Sequence, residues 1–290
     1  MSNINKVPAS AGAEWLLGGF ALLRKAPLAL GLLGVIWGML SMVVVQLMAL
    51  NVTAGLILQL GLAILGPLLF AGLLSAVREV EQGRAAQPAH LFQFIRSERS
   101  SNLLATLLPQ LGATVVLGLL LFVMIGPSQL QHLGEVMAKL QEIAQAGGQP
   151  DPELVQSLPV GRLFLWMLLL FVAVIAISLF TFVAVPDIVF GGSNGFEAMR
   201  NSFRACLHNL LALVVFFLLL MVAMFAILFA IGLLSLLAQL VAGPVAASWV
   251  SNLLLMAVLM PLMAGAVYHA WKQMLGGAAA AQPVATHLEA

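Results

Sequence analysis

Long apolar runs separated by short polar segments organise this sequence. Six runs contain no Asp, Glu, Lys or Arg. A helix of about 20 apolar residues crosses the hydrocarbon core of a bilayer, roughly 30 Å thick. The runs are continuous rather than alternating, which favours helices over barrel strands, because a helix satisfies its own backbone in lipid. The predicted spans are 28–50, 54–77, 103–125, 163–185, 210–233 and 247–271.

The fifth run has an uncertain end, because the sequence stays apolar to about Ala242. Glycine and proline interrupt helices. Gly232 and the pair Gly243-Pro244 are therefore the two predicted break points.

Composition supports an integral membrane protein. The 290 residues are 62% hydrophobic and 8% charged, whereas about a quarter of the residues in a soluble domain are charged. The formal net charge of +1 provides no field that would attract nucleic acid. The single cysteine, Cys206, cannot form an internal disulfide.

The distribution of Lys and Arg predicts the orientation, because cytoplasmic loops carry the excess of these residues. With the N-terminus placed inside, the outer segments hold only Lys139 and Arg162. The inner segments hold Lys6, Arg24, Lys25, Arg78, Arg84, Arg96, Arg99, Arg200, Arg204 and Lys272. This asymmetry predicts six spans in a bacterial inner membrane, with both termini in the cytoplasm.

The domain prediction is one membrane domain with short ends. Residues 1–8 and the small-residue tail 276–290 are expected to be flexible, and the membrane domain covers 9–275. The outside loop, 127–161, has an apolar helical stripe formed by Leu130, Leu133, Met137, Leu140 and Ala144. The stripe predicts an amphipathic helix that lies on the membrane or caps the bundle, or that docks a protein of the envelope.

Short matches along the chain indicate an internal repeat. The segment GAEWLLGGF (Gly12 to Phe20) aligns without gaps on GFEAMRNSF (Gly195 to Phe203), with Gly, Glu and Phe in common. Each segment leads directly into a span. The predicted fold is therefore all-α: a polytopic bundle of six transmembrane helices arranged as three hairpins, each preceded by an interfacial amphipathic helix.

The stretch FEAMRNSFRACLHN, from Phe196 to Asn209, is the most polar segment beside a span. At 100° per residue its side chains divide into two faces, as in an amphipathic helix. The apolar face holds Phe196, Met199, Phe203, Cys206, Leu207 and Leu210, and the polar face holds Glu197, Arg200, Asn201, Arg204 and His208. The expected position is the membrane interface, where the arginines reach lipid headgroups.

Two candidate contacts follow from this arrangement. Arg96, Arg99, Arg200 and Arg204 form a predicted cytoplasmic collar that could hold anionic headgroups. Gln110, next to Pro109 in the third span, is the candidate for a polar contact inside the membrane. The alternative for Gln110 is a helix kink whose freed backbone needs a neighbour.

No pattern typical of catalysis, of a cofactor or of a metal emerges from the sequence. Cys206 and His208 stand two positions apart, so they point to different sides of a helix. His90, His208 and His269 lack the spacing of metal ligands. No phosphate loop, nucleophile elbow or HExxH motif is present. We therefore expect no enzyme activity.

Gly34 and Gly38 form a GxxxG pattern in the first span. Small residues at this spacing allow helices to approach closely. The pattern serves either packing within the chain or association into a homo-oligomer.

Several segments resemble a known family. They are AEWLLGGFALLRKAP, GPLLFAGLLSAVREVEQGR, HLFQF and AVPDIVF with FEAMRNSFRACLHN. Over residues 9–275 the chain resembles an uncharacterised family of proteobacterial inner-membrane proteins, which is similar to the membrane domain fused to some glycerophosphodiester phosphodiesterases. The resemblance implies a multi-span protein connected with lipid or envelope upkeep. The catalytic domain of those phosphodiesterases has no counterpart here, so neither hydrolysis nor any site residue is implied.

Two functional hypotheses remain open at this point. The first is a non-enzymatic protein that organises or regulates envelope and membrane components. The alternative is a passive transporter or lipid-handling protein that binds anionic headgroups at its cytoplasmic collar.

Overall fold

The computed structural model describes residues 4–145, 147–148 and 158–276, and helices form almost all of this part. The helices are α1 (Ala11–Lys25), α2 (Pro27–Leu50), α3 (Val52–Glu81), α4 (Ser100–Ala105), α5 (Leu108–Ile125), α6 (Pro127–Gln145), α7 (Val160–Thr181), α8 (Gly195–His208) and α9 (Leu210–Met274). Shorter helical turns are Pro88–Phe92, Ala184–Pro186 and Asp187–Gly191. No strand occurs in these residues, which confirms an all-α protein.

Five helices in the described residues are long and apolar enough to cross a membrane. They are Pro27–Leu50, Val52–Glu81, Ser100–Ile125, Val160–Gly191 and Leu210–Met274. The first two meet at one residue, Asn51, whose side chain caps α3 by accepting a hydrogen bond from the Ala54 N–H at 2.9 Å. The predicted apolar runs therefore form helices, as their length and composition require.

The last of these helices is broken at Gly243. This residue has φ 81° and ψ 176°, a left-handed conformation that favours glycine, and Pro244 follows it. The Ser235 hydroxyl donates to the Ala247 carbonyl at 3.4 Å, although these residues would lie about 18 Å apart in a straight helix. The chain therefore turns back at Gly243, and Gly232 lies within a continuous helix.

The chain divides into two compact units. Unit 1 consists of Met1–Leu107 and Leu179–Ala290, and unit 2 consists of Leu108–Ser178. The core of unit 1 has two buried clusters. One surrounds Leu69, Leu73 and Leu74 of α3, and the other surrounds Trp15 of α1 and Phe216 of α9.

Close helix packing in unit 1 explains the GxxxG pattern of α2. A Cβ at Gly34 would lie 2.7 Å from the Ala257 Cα, and one at Gly38 would lie 3.1 Å from the Met256 Cβ. The distance at Gly34 is shorter than a Cβ tolerates, and the distance at Gly38 is tighter than most Cβ contacts. The glycine face of α2 therefore packs against α9 within the chain.

The N-terminal segment is anchored from Asn5 onward, in contrast to the flexible segment predicted for residues 1–8. The Asn5 N–H donates to the Met274 carbonyl at 2.9 Å. The Val7 N–H donates to Asn209 Oδ1 at 2.8 Å, and Asn209 Nδ2 donates back to the Asn5 carbonyl at 3.0 Å. Residues 1–3 and 277–290, which include nearly all of the predicted tail, lie outside the described residues.

Unit 2 contains α5, α6 and most of α7. The Trp166 indole donates to the Leu117 carbonyl at 3.0 Å, which ties α7 to α5. In α6 the buried position is Val136, 1% exposed, whereas Met137 is 58% exposed. Met137 of the predicted apolar stripe thus lies on the surface of the protein, and the role of the stripe stays a prediction. The predicted outside loop continues through residues 149–157, which lie outside the described part.

Candidate functional site

Positive charge is concentrated in unit 1. Unit 1 has ten Lys and Arg against seven Asp and Glu, a formal net charge of +3, whereas unit 2 has two against four, a net charge of −2. All ten residues predicted to lie on the cytoplasmic side belong to unit 1. Charged groups near a membrane act on acidic lipid over a Debye length of about 8 Å. A candidate functional site that depends on positive charge is therefore expected in unit 1.

A half-buried polar group joins the end of α3 to the end of α9. The Lys272 ammonium lies 2.7 Å from Glu81 Oε1. The Tyr268 hydroxyl donates to Glu81 Oε2 at 2.8 Å, and Lys25 Nζ donates to the Glu81 carbonyl at 3.1 Å. Glu81 thus holds three helices together at their charged ends.

A second polar group surrounds Asp187, which is only 4% exposed. Asn201 Nδ2 of α8 donates to Asp187 Oδ2 at 3.1 Å. The Trp271 indole of α9 donates to Asp187 Oδ1 at 3.3 Å. A buried carboxyl group needs such partners, so Asp187 links the turn Asp187–Gly191 to both α8 and α9.

Aromatic contacts connect these two groups. The Phe190 ring centroid lies 5.4 Å from that of Tyr268 and 5.3 Å from that of Trp271. The Arg78 guanidinium also lies over the Phe190 ring, 5.1 Å from its centroid. Residues from α3, the turn and α9 therefore form one continuous cluster.

The four arginines of the predicted collar, Arg96, Arg99, Arg200 and Arg204, are all exposed. Arg99 donates to the Val189 carbonyl. The segment that carries Arg99 is joined to α8 because the Gly195 N–H donates to Asn102 Oδ1 at 3.2 Å. No carboxylate among the described residues forms an ion pair with any of the four.

The faces of α8 depart from the helical-wheel prediction at Asn201, which is predicted on the polar face but is buried. Phe196, on the apolar face predicted to lie in the membrane interface, is 69% exposed. The face that packs on the protein holds small residues, Ala198, Ser202 and Ala205. Small side chains permit close packing, and Met199 is the large apolar side chain that is buried beside them.

Cys206 is buried against the second core cluster. Burial raises the pKa of Cys206 to about 12, against an opposing hydrogen bond with Ser202. Since the thiolate is the nucleophile, we expect alkylation of native membranes near pH 7 to be slow and to become rapid after denaturation in dodecyl sulfate. The rate is measured by the mass of the labelled chain.

The matched control is Cys206→Ala combined with His208→Cys, which moves the only thiol to an exposed position of the same helix. That variant should react rapidly without denaturation. Equal rates for both thiols in native membranes would contradict the burial of Cys206.

The histidines considered as metal ligands each contact their own helical segment. Nδ1 of His208 lies 2.9 Å from the Arg204 carbonyl, and Nδ1 of His269 lies 2.8 Å from the Gly265 carbonyl. His90 Nδ1 accepts from the Gln87 N–H at 2.9 Å. In the described part of the chain no three His, Cys, Asp or Glu side chains converge as metal ligands.

Gln110 lines an open groove of about 360 Å³ within unit 2. The groove lies between α5 and α7, with Gln110, Thr114 and Ser178 among its lining residues. The hydroxyls of Thr114 and Ser178 are bonded to carbonyls of their own helices, Gln110 and Val174, at 2.8 Å. Gln110 itself is exposed.

Sequence reasoning missed Glu81, Asp187 and Arg78 as parts of one cluster. Asp187 carried a signal, because it stands between Pro186 and Ile188 in the apolar stretch AVPDIVF. An acidic residue among buried neighbours needs hydrogen-bond donors from elsewhere in the chain.

These features define a multi-span, all-helical membrane protein with a cationic unit and a half-buried polar cluster. The chain belongs to a family whose shared region is described as a domain of unknown function (DUF7847), which matches residues 14–274. No curated protein and no solved structure matches the chain.

Proposed function

We propose that this protein is a six-span, non-enzymatic protein of the bacterial inner membrane that organises or regulates membrane components by holding acidic lipids at the cationic end of unit 1. The observation that carries the proposal is the concentration of exposed, unpaired arginines in that unit. An exposed Lys or Arg beside an acidic bilayer contributes about 1 kcal/mol of attraction. Several such residues on one rigid support would therefore retain acidic lipid.

The six-span topology rests on the break at Gly243. Residues 210–242 and 244–274 are each longer than the roughly 20 residues that cross a bilayer. Counted separately, they bring the candidate spans to six and return the C-terminus to the side of the N-terminus. The contact between Asn5 and Met274 agrees with both ends lying on that side, which the Lys and Arg distribution assigns to the cytoplasm.

The matched glycines support the proposed repeat of three hairpins. A Cβ at Gly12 would lie 2.7 Å from the Phe216 backbone nitrogen at the start of α9. A Cβ at Gly195 would lie 2.6 Å from the Asn102 carbonyl oxygen in α4. Two glycines aligned in sequence thus permit the same kind of close approach, in each case to a segment that begins a span.

Removal of Arg200 and Arg204 tests the proposal. We expect Arg200→Ala with Arg204→Ala to lower the affinity for phosphatidylglycerol roughly tenfold or more, since each charge contributes about 1 kcal/mol. The measurement is the acidic lipid retained per chain after purification, quantified by mass spectrometry.

The control removes two cations from unit 2 instead, by Lys139→Ala with Arg162→Ala. This variant should retain as much acidic lipid as the unmodified protein. Equal lipid content in all three proteins would contradict the proposal.

Passive transport is the second candidate, and the groove between α5 and α7 favours it. Its polar lining residues, Gln110, Thr114 and Ser178, all lie at one end, because α5 and α7 run antiparallel. The rest of the lining is apolar, with residues such as Leu117 and Leu170. We prefer the lipid function because a polar path across the membrane needs polar groups at more than one depth.

Docking of an envelope protein through 127–161 and association into a homo-oligomer remain predictions. Glu135 and Glu142 of α6 are exposed and would face such a partner.

A further inference from the structure

A polar groove of about 240 Å³ lies in unit 1, beside the aromatic cluster. It is an open groove, bordered by the end of α3, the turn Pro88–Phe92 and the turn Asp187–Gly191. Its lining residues are Ser75, Arg78, Glu79, His90, Gln93, Phe94, Val189 and Phe190. At roughly 30 Å³ for each water molecule, the groove has space for a phosphate group and part of its ester.

The sequence builds one wall of this groove from the turn Pro88–Phe92. A Cβ at Gly72 would lie 2.6 Å from the Leu91 carbonyl oxygen, so only glycine lets this turn pack against α3. Leu91 is fully buried in the first core cluster. This packing fixes His90 beside the last turns of α3, which carry Ser75 and Arg78.

Among the described residues, Arg78 is the cation of the groove that has no ion-pair partner. Its guanidinium lies over the Phe190 ring at 5.1 Å, and no acceptor in the described residues takes a hydrogen bond from it. The neighbouring cations already form ion pairs, Lys272 with Glu81 and Arg84 with Glu79. The planar guanidinium presents two parallel N–H donors, which match two oxygen atoms of a phosphate.

The other polar groups of the groove complete a donor set. His90 Nδ1 lies 2.9 Å from the Gln87 nitrogen and 3.0 Å from the Gln87 carbonyl oxygen, so the ring uses Nδ1 for its local contacts and Nε2 is the nitrogen that remains for a ligand. The Ser75 hydroxyl and the Gln93 amide are further donors. Glu79 also lines the groove, but Arg84 compensates its charge through two hydrogen bonds.

The position of the groove favours a lipid over a soluble phosphate. Ser75 and Arg78 lie in the last turns of the candidate span Val52–Glu81, where headgroups meet water. Earlier in the same helix, Leu60 and Ile64 are exposed apolar side chains, on which an acyl chain can lie.

We propose that this groove is a specific site for the phosphate of one acidic phospholipid, held by Arg78 as a paired donor and by Ser75, His90 and Gln93. The site rests on the proposed function, which it deepens by separating one bound lipid from those that the four collar arginines attract. In the groove several donors surround the phosphate and give it charge-assisted hydrogen bonds, whereas a single arginine outside a groove offers mainly unspecific attraction.

The test uses the purified full chain titrated with phosphatidylglycerol or phosphatidylcholine, with the bound lipids counted by native mass spectrometry. We expect one saturable phosphatidylglycerol site per chain. Arg78→Gln should weaken that site roughly tenfold or more, because hydrogen bonds to charged groups are strong. Arg78→Lys should restore only part of the affinity, since it keeps the charge but loses the paired donors.

Arg24→Gln is the matched control, because it removes an exposed cation of unit 1 outside the groove. Equal weakening in Arg78→Gln and Arg24→Gln would overturn the specific site while leaving the proposed function intact. Unchanged lipid content in Arg200→Ala with Arg204→Ala would count against the proposed function instead.

A second variant tests the same site in case Arg78→Gln does not fold. Gln93→Glu places a carboxylate at an exposed position of the groove, and repulsion should expel the lipid phosphate without disturbing the core. Unchanged binding in Gln93→Glu would overturn the site. Displacement of phosphatidylglycerol by millimolar inorganic phosphate would assign the groove to a soluble phosphate and overturn the lipid assignment.

Discussion

Replacing Gly34 by alanine should strongly destabilise the protein, whereas the same change at Gly61 should not. The added Cβ at Gly34 would lie 2.7 Å from the Ala257 Cα, which is backbone and cannot move aside. Overpacking of this kind costs about 1–3 kcal/mol. At Gly61 in α3 a Cβ meets no atom within 4 Å, and alanine normally stabilises a helix by about 0.5–1 kcal/mol relative to glycine.

The measurement is the thermal unfolding midpoint of the detergent-solubilised protein. A fixed scan rate is required, because unfolding of such chains is often irreversible. Each kcal/mol shifts the midpoint by roughly 2–4 °C in a large domain. Gly34→Ala should lower the midpoint, and Gly61→Ala should leave it unchanged or raise it. An unchanged midpoint for Gly34→Ala would show that the GxxxG face does not pack within the chain.

Replacing Asp187 by alanine should be the second strongly destabilising change. The carboxyl group accepts from Asn201 Nδ2 at 3.1 Å and from the Trp271 indole at 3.3 Å. A buried donor left without an acceptor costs about 1–3 kcal/mol. The loss is therefore larger than that of an ordinary surface substitution, which stays within about 0.5 kcal/mol.

A double-mutant cycle makes this prediction specific to the hydrogen bond. Asp187→Ala combined with Asn201→Ala should be less destabilised than the sum of the two single changes, because each removes the other's unsatisfied partner. Glu98→Ala, at an exposed position, is the control and should leave the midpoint unchanged. Strict additivity of the two changes would contradict coupling between Asp187 and Asn201.

Much of the helical arrangement could be predicted from apolar runs and from glycine. Pro27–Leu50 follows the first run almost residue for residue, because twenty or so apolar residues have no other stable conformation in lipid. Gly243, followed by Pro244, was one of two predicted break points, and the backbone there adopts a conformation that glycine tolerates best.

The orientation of individual helix faces was harder to predict, because hydropathy does not distinguish lipid from protein as an apolar surrounding. Phe196 and Met199 of α8 illustrate the difficulty. A helical wheel places both on one apolar face, but Met199 packs on the protein whereas Phe196 is exposed.

The polar cluster could not be derived from the sequence because its partners are far apart along the chain. Glu81 and Tyr268 are 187 positions apart, and no local pattern indicates that they meet. Asn201 belonged by periodicity to the polar face, and only the fold shows that a buried carboxyl group accepts its hydrogen bond. Long-range pairs of this kind follow from how the helices assemble.

The contacts of α1 also have a consequence for how the protein is made. Gly12 approaches Phe216, and the Trp15 indole donates to Gln273 Oε1 at 2.7 Å, so the first helix finds partners that follow it by roughly 200 to 258 positions along the chain. At about 5–20 residues per second on the ribosome, α1 waits on the order of 10–50 s before they emerge. Unit 1 is therefore completed only after α9 has been synthesised, and a nascent chain that stops before α9 leaves its first helix without most of its partners.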